Sequence, residues 1–370
     1  MTDGALDVRH LYVHLPFCTS RCGYCAFVVE VGALDRRDDY VDALLAELAA
    51  EGQRIGELDT VYLGGGTPTL MQPHRLARLM QAIRPHLAAG AEVTTEANPE
   101  TVDHAAFAAL REAGVTRVSL GAQSFQPGLL RALDRQATPA QVRAAFAAAR
   151  AAGFDSVSID LLFAVPGQDL PMLQADIDEV IALGADHVSW YELEVKPGSS
   201  LARQGATVDE EFSEEAYRLV VERLEDAGYH WYETANFARP GHECRHSLAY
   251  WQAADYVGVG IGAVSTVGAD RWRNAPDLSG YIARAGIGEA PRRTGEALDS
   301  DTRRRERWML GLRLARPFRM AVAGPPDHPD ALQHLADLGL ITYDADELRL
   351  SRDGRFVQNA ILCELMEYPT

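Results

Sequence analysis

The sequence predicts an α/β fold: six strand-then-helix units whose parallel sheet curls into an incomplete barrel, followed by a small winged-helix-like α+β domain. Three observations carry this reading. Between residues 9 and about 228, short β-rich runs alternate with longer Ala- and Leu-rich stretches of helical periodicity. Gly114, Gly153 and Gly184 each follow such a stretch, where a left-handed residue ends a helix. Polar candidates recur at the C-terminal ends of nearly all six strands, the rim on which βα barrels build their sites. That recurrence favours an incomplete barrel over an open doubly wound sheet.

Taken in order, the strands are His10–Leu15, Thr60–Leu63, Glu92–Glu96, Arg117–Leu120, Ser156–Leu162 and His187–Leu193. The helices between them are Tyr40–Arg54, Pro73–His86, His104–Ala113, Pro139–Ala152 and Pro171–Leu183. A further helix, Glu214–Ala227, leads into Tyr229–Phe237 and a Gly-rich passage, Val257–Gly268. Leu278–Thr302 reads as loop before a helix over Arg303–Leu314. The rest reads as helix, a β-ribbon (Leu340–Tyr343 and Leu348–Ser351) and a final helix. The expected division is 1–205 for the barrel, 206–295 for an extension and 296–370 for the C-terminal domain.

A formal net charge of -18 repels phosphate backbones and acidic lipid headgroups, which argues against nucleic acid or a membrane as partner. No apolar run reaches the roughly 18 residues of a membrane span, and the N-terminus lacks a signal-peptide layout. The expected location is cytoplasmic. Five cysteines make a poor disulfide framework, and three of them crowd into eight residues.

Those three, Cys18, Cys22 and Cys25, follow the first strand with C-x3-C-x2-C spacing. Three thiolates are one short of a closed zinc or iron–sulfur site. On a 4Fe–4S cluster the shortfall leaves one iron open to an exogenous molecule. S-adenosylmethionine (SAM) can fill it through its amino and carboxylate groups and is then split to a 5′-deoxyadenosyl radical. The plainer alternative is a zinc knot completed by His14.

One βα unit later, Gly64-Gly65-Gly66-Thr67-Pro68 ends strand two, where glycines present backbone groups to a small polar ligand. Glu96 ends strand three, Gln123 follows strand four and Asp160 sits in strand five. Carboxylates in apolar strands are costly unless partnered, so Glu96 and Asp160 point to a ligand or an ion pair. Arg135 or the sulfonium of SAM would serve as the cation.

These residues carry a resemblance. Tyr12-Val13-His14-Leu15-Pro16-Phe17-Cys18 with Cys22-Gly23-Tyr24-Cys25, and Gly64–Pro68, resemble the HemN/HemW family of radical SAM proteins. So do Gly121–Phe125, Ile159-Asp160-Leu161 with Pro166-Gly167-Gln168, and Arg245–Trp251. The resemblance covers about residues 9 to 360. It implies a partial (β/α)6 radical SAM barrel, a 4Fe–4S cluster and SAM. By motif it implies SAM contacts at Tyr12, Gly65, Gly66, Thr67, Glu96, Gln123, Arg135 and Asp160, with Phe27 beside them.

The family holds two functions: oxygen-independent oxidation of coproporphyrinogen III, and binding of haem for delivery to acceptor proteins. Phe27 stands where the oxidase branch carries a fourth cysteine, and only 17 residues precede Cys18. His246-Ser247-Leu248-Ala249-Tyr250-Trp251 is similar to the haem-associated H-N-x-x-Y-W signature. All three features favour the haem branch, with haem, an acceptor protein and an electron donor as partners and no coproporphyrinogen oxidase activity expected. His246 is the candidate axial ligand, with Tyr250 and Trp251 covering a porphyrin face; Cys244 and His242 compete for the iron. The chain departs from the family pattern at Ser247 for Asn, Ala26 for Asp, Val264 for His and Ala137 for His.

Overall fold

The computed structural model describes residues 7–367; residues 1–6 and 368–370, the outer ends of the first and last expected segments, lie outside the described residues. The six parallel strands are β1 Val8–Leu15, β2 Ile55–Gly65, β3 Leu87–Ala97, β4 Arg117–Gln123, β5 Ser156–Phe163 and β6 His187–Glu192. Each pairs with the next in parallel. The crossovers carry α1 Arg37–Glu51, α2 Pro73–Ile83, α3 His104–Ala113, α4 Pro139–Ala151 and α5 Leu170–Leu183. The apolar runs that predict the strands form the centre of the core: Val61, Leu63, Val118, Leu120, Val157, Ile159 and Leu161 are fully buried. Gly114 and Gly184 end α3 and α5 in the left-handed conformation, at φ 105° and 67°.

α6 Glu210–Asp226 packs back on the sheet and leads into β7 His230–Trp231, β8 Asn236–Ala238, α7 Arg245–Trp251 and β9 Val257–Val259. The sheet order is β9-β1-β2-β3-β4-β5-β6-β8-β7, with β9 parallel to β1 and β8 antiparallel to β6. Its two ends do not meet, so the barrel is open, as the sequence predicts.

Several boundaries differ from expectation: β3, for one, begins at Leu87 and not Glu92. β2 begins at Ile55, not Thr60, because Ile55 and Leu58 are buried while Gly56, Glu57 and Asp59 interrupt the apolar run. A register shift between Leu58 and Thr60 absorbs the irregularity. The segment expected as loop, Leu278–Thr302, holds helix α8 Leu278–Gly286 and strand β12 Arg293–Ala297. β12 joins β10 Val264–Val267 and β11 Asp270–Asn274 in a second, antiparallel sheet. The Asp277 side chain caps α8, whose Leu278 and Tyr281 are buried.

One carboxylate organises this region. Glu47 of α1 is buried and accepts from Gly260 N (2.8 Å), Asn274 Nδ2 (2.7 Å), Tyr281 Oη (2.5 Å) and Arg293 Nη2 (2.9 Å). It therefore ties α1 to the end of β9, to β11, to α8 and to β12. Beyond α9 Ser300–Gly311, a separate apolar cluster around Trp308, Leu335, Leu348 and Leu365 holds a three-stranded sheet of β13 Phe318–Arg319, β14 Ile341–Tyr343 and β15 Glu347–Leu350. No helix among the described residues is long and apolar enough to cross a membrane.

Glu47→Ala removes a shared acceptor from four donors and leaves Arg293 with Glu51 as its one carboxylate, beside the Asn274 side-chain oxygen. Removing one partner of a buried charged network costs about 3 kcal/mol, so the urea unfolding midpoint falls sharply in this variant. An unchanged midpoint would contradict the organising role of Glu47.

Candidate functional site

The C-terminal ends of the barrel strands open into a cavity of about 480 Å³. The loop after β1 brings the three cysteines to its wall. That loop is fixed at both ends, since Phe17–Cys18 pairs with Glu30–Val31. It is also stitched to the turn after β2, where Gly66 N donates to Leu15 O (2.9 Å) and Thr67 N to Phe17 O (2.8 Å). Close contact here requires glycine: a β-carbon on Gly66 would lie 2.6 Å from the Pro16 carbonyl carbon, and one on Gly65 2.5 Å from the His14 ring. The glycines thus serve packing against β1 as well as the cavity.

Cys18, Cys22 and Cys25 are free and partly exposed on the cavity wall. Burial pushes the Cys18 thiol up to about 11 and raises that of Cys25. Arg135 Nη1 donates to Cys22 Sγ (3.5 Å), and Cys18 Sγ lies 3.7 Å from Thr67 Oγ1. Arg135 spends its remaining bonds on Asn98 Oδ1 (3.0 Å) and Gly121 O (2.6 Å). It serves the cysteine loop and makes no ion pair with Glu96 or Asp160, contrary to one of the two sequence-based alternatives.

The two carboxylates face the same cavity. Glu96 accepts from Tyr62 Oη (3.0 Å) and Gly65 N (3.1 Å); burial, then Asp160, pushes it up to about 7. Asp160 accepts from Ser119 Oγ (2.8 Å) and Ser158 Oγ (3.1 Å), and burial raises it too. Neither carboxylate has a salt-bridge partner among the described residues. Two such groups in one cavity favour a cationic ligand, which lowers the cost of ionising both. Gln123, at φ 68°, also lines this cavity, as do Gly65, Gly66, Thr67 and the 67%-exposed Phe27.

Tyr12 does not reach the wall. Its hydroxyl donates to His14 Nδ1 (3.0 Å), and its ring stacks on Tyr62, which does line the cavity. His14 Nε2 donates in turn to Val28 O (2.8 Å). Both ring nitrogens of His14 are therefore engaged, and it cannot complete a zinc knot without giving up one of these bonds. No three His, Cys, Asp or Glu side chains among the described residues converge as a single metal ion needs. A cubane cluster sets a different requirement, because each cysteine binds a different iron and the thiols stand apart.

Sequence reasoning missed Tyr62, Asn98, Arg117, His187, Ser119 and Ser189, all on the same wall. A signal was present. Ser119 pairs with Ser158, and Asp160 with Ser189, across adjacent strands, so small polar residues recur at matched heights of β4, β5 and β6.

The haem candidates divide between two places. His246 is 2% exposed; its Nδ1 lies 2.7 Å from Thr60 Oγ1, and its Nε2 has no partner. Burial pushes this imidazole down to about 3, so it is neutral. Tyr62 stacks on one side of it and Tyr250 meets it edge-on at 4.8 Å. Tyr250 and Trp251 line a second cavity of about 640 Å³ between α7 and α9. Cys244 is buried at the first cavity, while His242 lines neither. The two cavities share Tyr191, Glu194, Asn236 and Ser247.

The sequence model for the radical SAM superfamily matches residues 12–180. A protein of Mycobacterium tuberculosis named heme chaperone HemW is 39% identical over 96% of this chain and 94% of its own. One of Bacillus subtilis with the same name is 32% identical over 96% and 98%. The chain belongs to the HemW family of radical SAM proteins. The crystal structure of coproporphyrinogen III oxidase (HemN) from Escherichia coli superposes with TM-score 0.84 over 98% of this chain and 91% of that one. At 23% identity, that likeness concerns the fold alone.

Radical SAM membership implies a 4Fe–4S cluster and SAM, and the cavity fits both. It offers three thiols on one fixed loop, and two carboxylates with no cation of the chain bonded to them. A folded-state value raised from 4.5 to about 7 makes the Glu96 contribution to stability complete below pH 4.5 and lost as pH climbs through 7. Glu96→Gln flattens that decline in the cofactor-free protein, measured as melting temperature against pH; an unaltered slope would place the raised value elsewhere.

Proposed function

We propose that this chain is a haem chaperone that carries a 4Fe–4S cluster, binds SAM beside it and hands haem to an acceptor protein. The observation that carries the proposal is 39% identity, over nearly the whole of both chains, with a protein named heme chaperone HemW. In this reading Cys18, Cys22 and Cys25 ligate three irons. Arg135 steadies the Cys22 sulfur, and Thr67 approaches that of Cys18.

Gly65, Gly66, Thr67, Glu96, Gln123, Arg135 and Asp160 form the SAM side, with Phe27 at its margin. Glu96 and Asp160 hold ribose hydroxyls or the methionine ammonium, and Tyr12 acts from behind by fixing the Tyr62 ring. Held by Cys18, Cys22 and Cys25, a cluster reduced by a separate donor would supply the electron for cleaving SAM. The chain's own work is to position the sulfonium, and Phe27 in place of a fourth cysteine keeps a further thiol out of the site.

His246 is the proposed axial ligand. A neutral imidazole with one nitrogen held by Thr60 and the other unpartnered suits iron. Ligation requires the Tyr250 ring to move aside, because that ring stands between His246 and the second cavity.

Anaerobic haem titration of the cluster-reconstituted protein, read at the Soret band, tests the proposal. Saturable binding near one haem per chain is expected, weakened at least about tenfold in His246→Ala. If no haem binds and SAM is instead cleaved in the presence of a porphyrin or another small substrate, the chain is an enzyme of the family and not a carrier. Replacing Cys18, Cys22 or Cys25 by Ala is expected to abolish the brown absorbance of the cluster; its survival in all three variants would remove the cluster assignment.

A further inference from the structure

The second cavity has a composition that the cluster and SAM do not use. Tyr250, Trp251 and Tyr256 give it broad aromatic faces, and Arg271, Arg303 and Arg313 give it charge. Two of these arginines are already paired within the chain. Arg271 is bidentate with Glu306 (2.5 and 2.9 Å), and Arg303 meets Asp255 (3.2 Å). Arg313, half-buried just beyond α9, has no acidic partner among the described residues.

A second, independent feature lies on the same wall. Glu233 is 0% exposed; its Oε1 accepts from Ala235 N at 3.3 Å and its Oε2 has no partner. A buried, unpartnered carboxyl oxygen normally costs stability, and a ligand group is a standard way to satisfy it. Burial pushes this carboxyl up to about 7, so near neutrality it carries a proton for much of the time and can donate. The cavity thus joins aromatic walls, an unpaired guanidinium and a carboxyl able to donate a hydrogen bond. A flat, largely apolar ring system bearing an ionised carboxylate matches all three.

We infer that this cavity, between α7 and α9, is the seat of haem, and that Arg313 binds a propionate carboxylate there. The inference rests on the haem-carrier reading and adds where the cargo lies and what fixes its rotation. An arginine fork recognises a carboxylate through two parallel charge-assisted hydrogen bonds. Those bonds set which edge of the macrocycle faces α9. Tyr250 and Trp251 supply stacking area that is indifferent to the propionates. Because Ser247, Asn236 and Tyr191 line both cavities, haem seated here shares a wall with the SAM side.

The experiment uses the full chain with its cluster reconstituted. Wild type, Arg313→Gln and Trp251→Ala are each titrated with haem and with haem dimethyl ester, whose propionates carry no charge. Circular dichroism of the variants checks the fold. Wild type is expected to bind haem about tenfold more tightly than the ester, and Arg313→Gln to lose that preference by weakening haem alone. Trp251→Ala is expected to weaken both ligands by similar factors. If wild type binds haem but Arg313→Gln binds both ligands as wild type does, or weakens both equally, the propionate assignment is wrong and the carrier reading stands. If Trp251→Ala leaves both affinities unchanged, the seat lies elsewhere. Absence of haem binding in wild type overturns the carrier reading and this inference with it.

Discussion

The site depends on how closely the turn after β2 lies against the end of β1. Two backbone hydrogen bonds, Gly66 N to Leu15 O and Thr67 N to Phe17 O, hold them together. They form only because no side chain stands between: a β-carbon at Gly66 would overlap the Pro16 carbonyl. This contact orients the cysteine loop, brings Thr67 to Cys18 and turns Gly65 N toward Glu96. Elements separated by about fifty residues thereby become one wall, and the barrel needs no closure at its far edge to make it rigid.

Charge is arranged with the same economy. Among the cations that line the first cavity, Arg135 is committed to sulfur and to backbone and amide oxygens, away from the carboxylates. Glu96 and Asp160 take hydrogen bonds from neutral donors alone, and Arg117 on the same wall acts on Asp160 only through its charge. Such a cavity favours a positively charged guest beside the carboxylates and commits Arg135 to the sulfur side. Elsewhere, Glu47 shows the opposite solution: a buried carboxylate given an arginine and three further donors, with a structural role only.

Much of this was legible in the sequence. The barrel strands announce themselves because their apolar residues are β-branched or leucine and end at glycine or polar residues. Cys18, Cys22, Cys25, Gly65, Gly66, Thr67, Glu96, Gln123 and Asp160 fall at strand ends, so topology alone brings them to one rim. What stayed hidden depends on partners far along the chain. α8 is short and flanked by loop-forming residues, and its order comes from Glu47, more than two hundred residues away. Tyr12 sits one layer below the wall because Tyr62, from the neighbouring strand, covers it. Arg135 reaches the cysteine loop because the segment carrying it lies beneath that loop, where Gly23 N donates to Leu133 O. The i, i+4 spacing does bring His246 against Tyr250, but that Tyr250 and Trp251 line a cavity while His246 lies buried behind them could not be read from it.

The aromatic file between the two cavities has a consequence of its own. Tyr12, Tyr62, His246, Tyr250 and Tyr256 touch in succession, with Tyr62 on one cavity and Tyr250 and Tyr256 on the other. The rings are close-packed, so a movement of His246 toward either cavity displaces the ring that lines that cavity, Tyr62 on one side and Tyr250 on the other. The two chambers thus share this run of rings as a common partition. Were a guest in one chamber to move this file of rings, it would alter the affinity of the other chamber, and reciprocity would make the coupling equal in both directions.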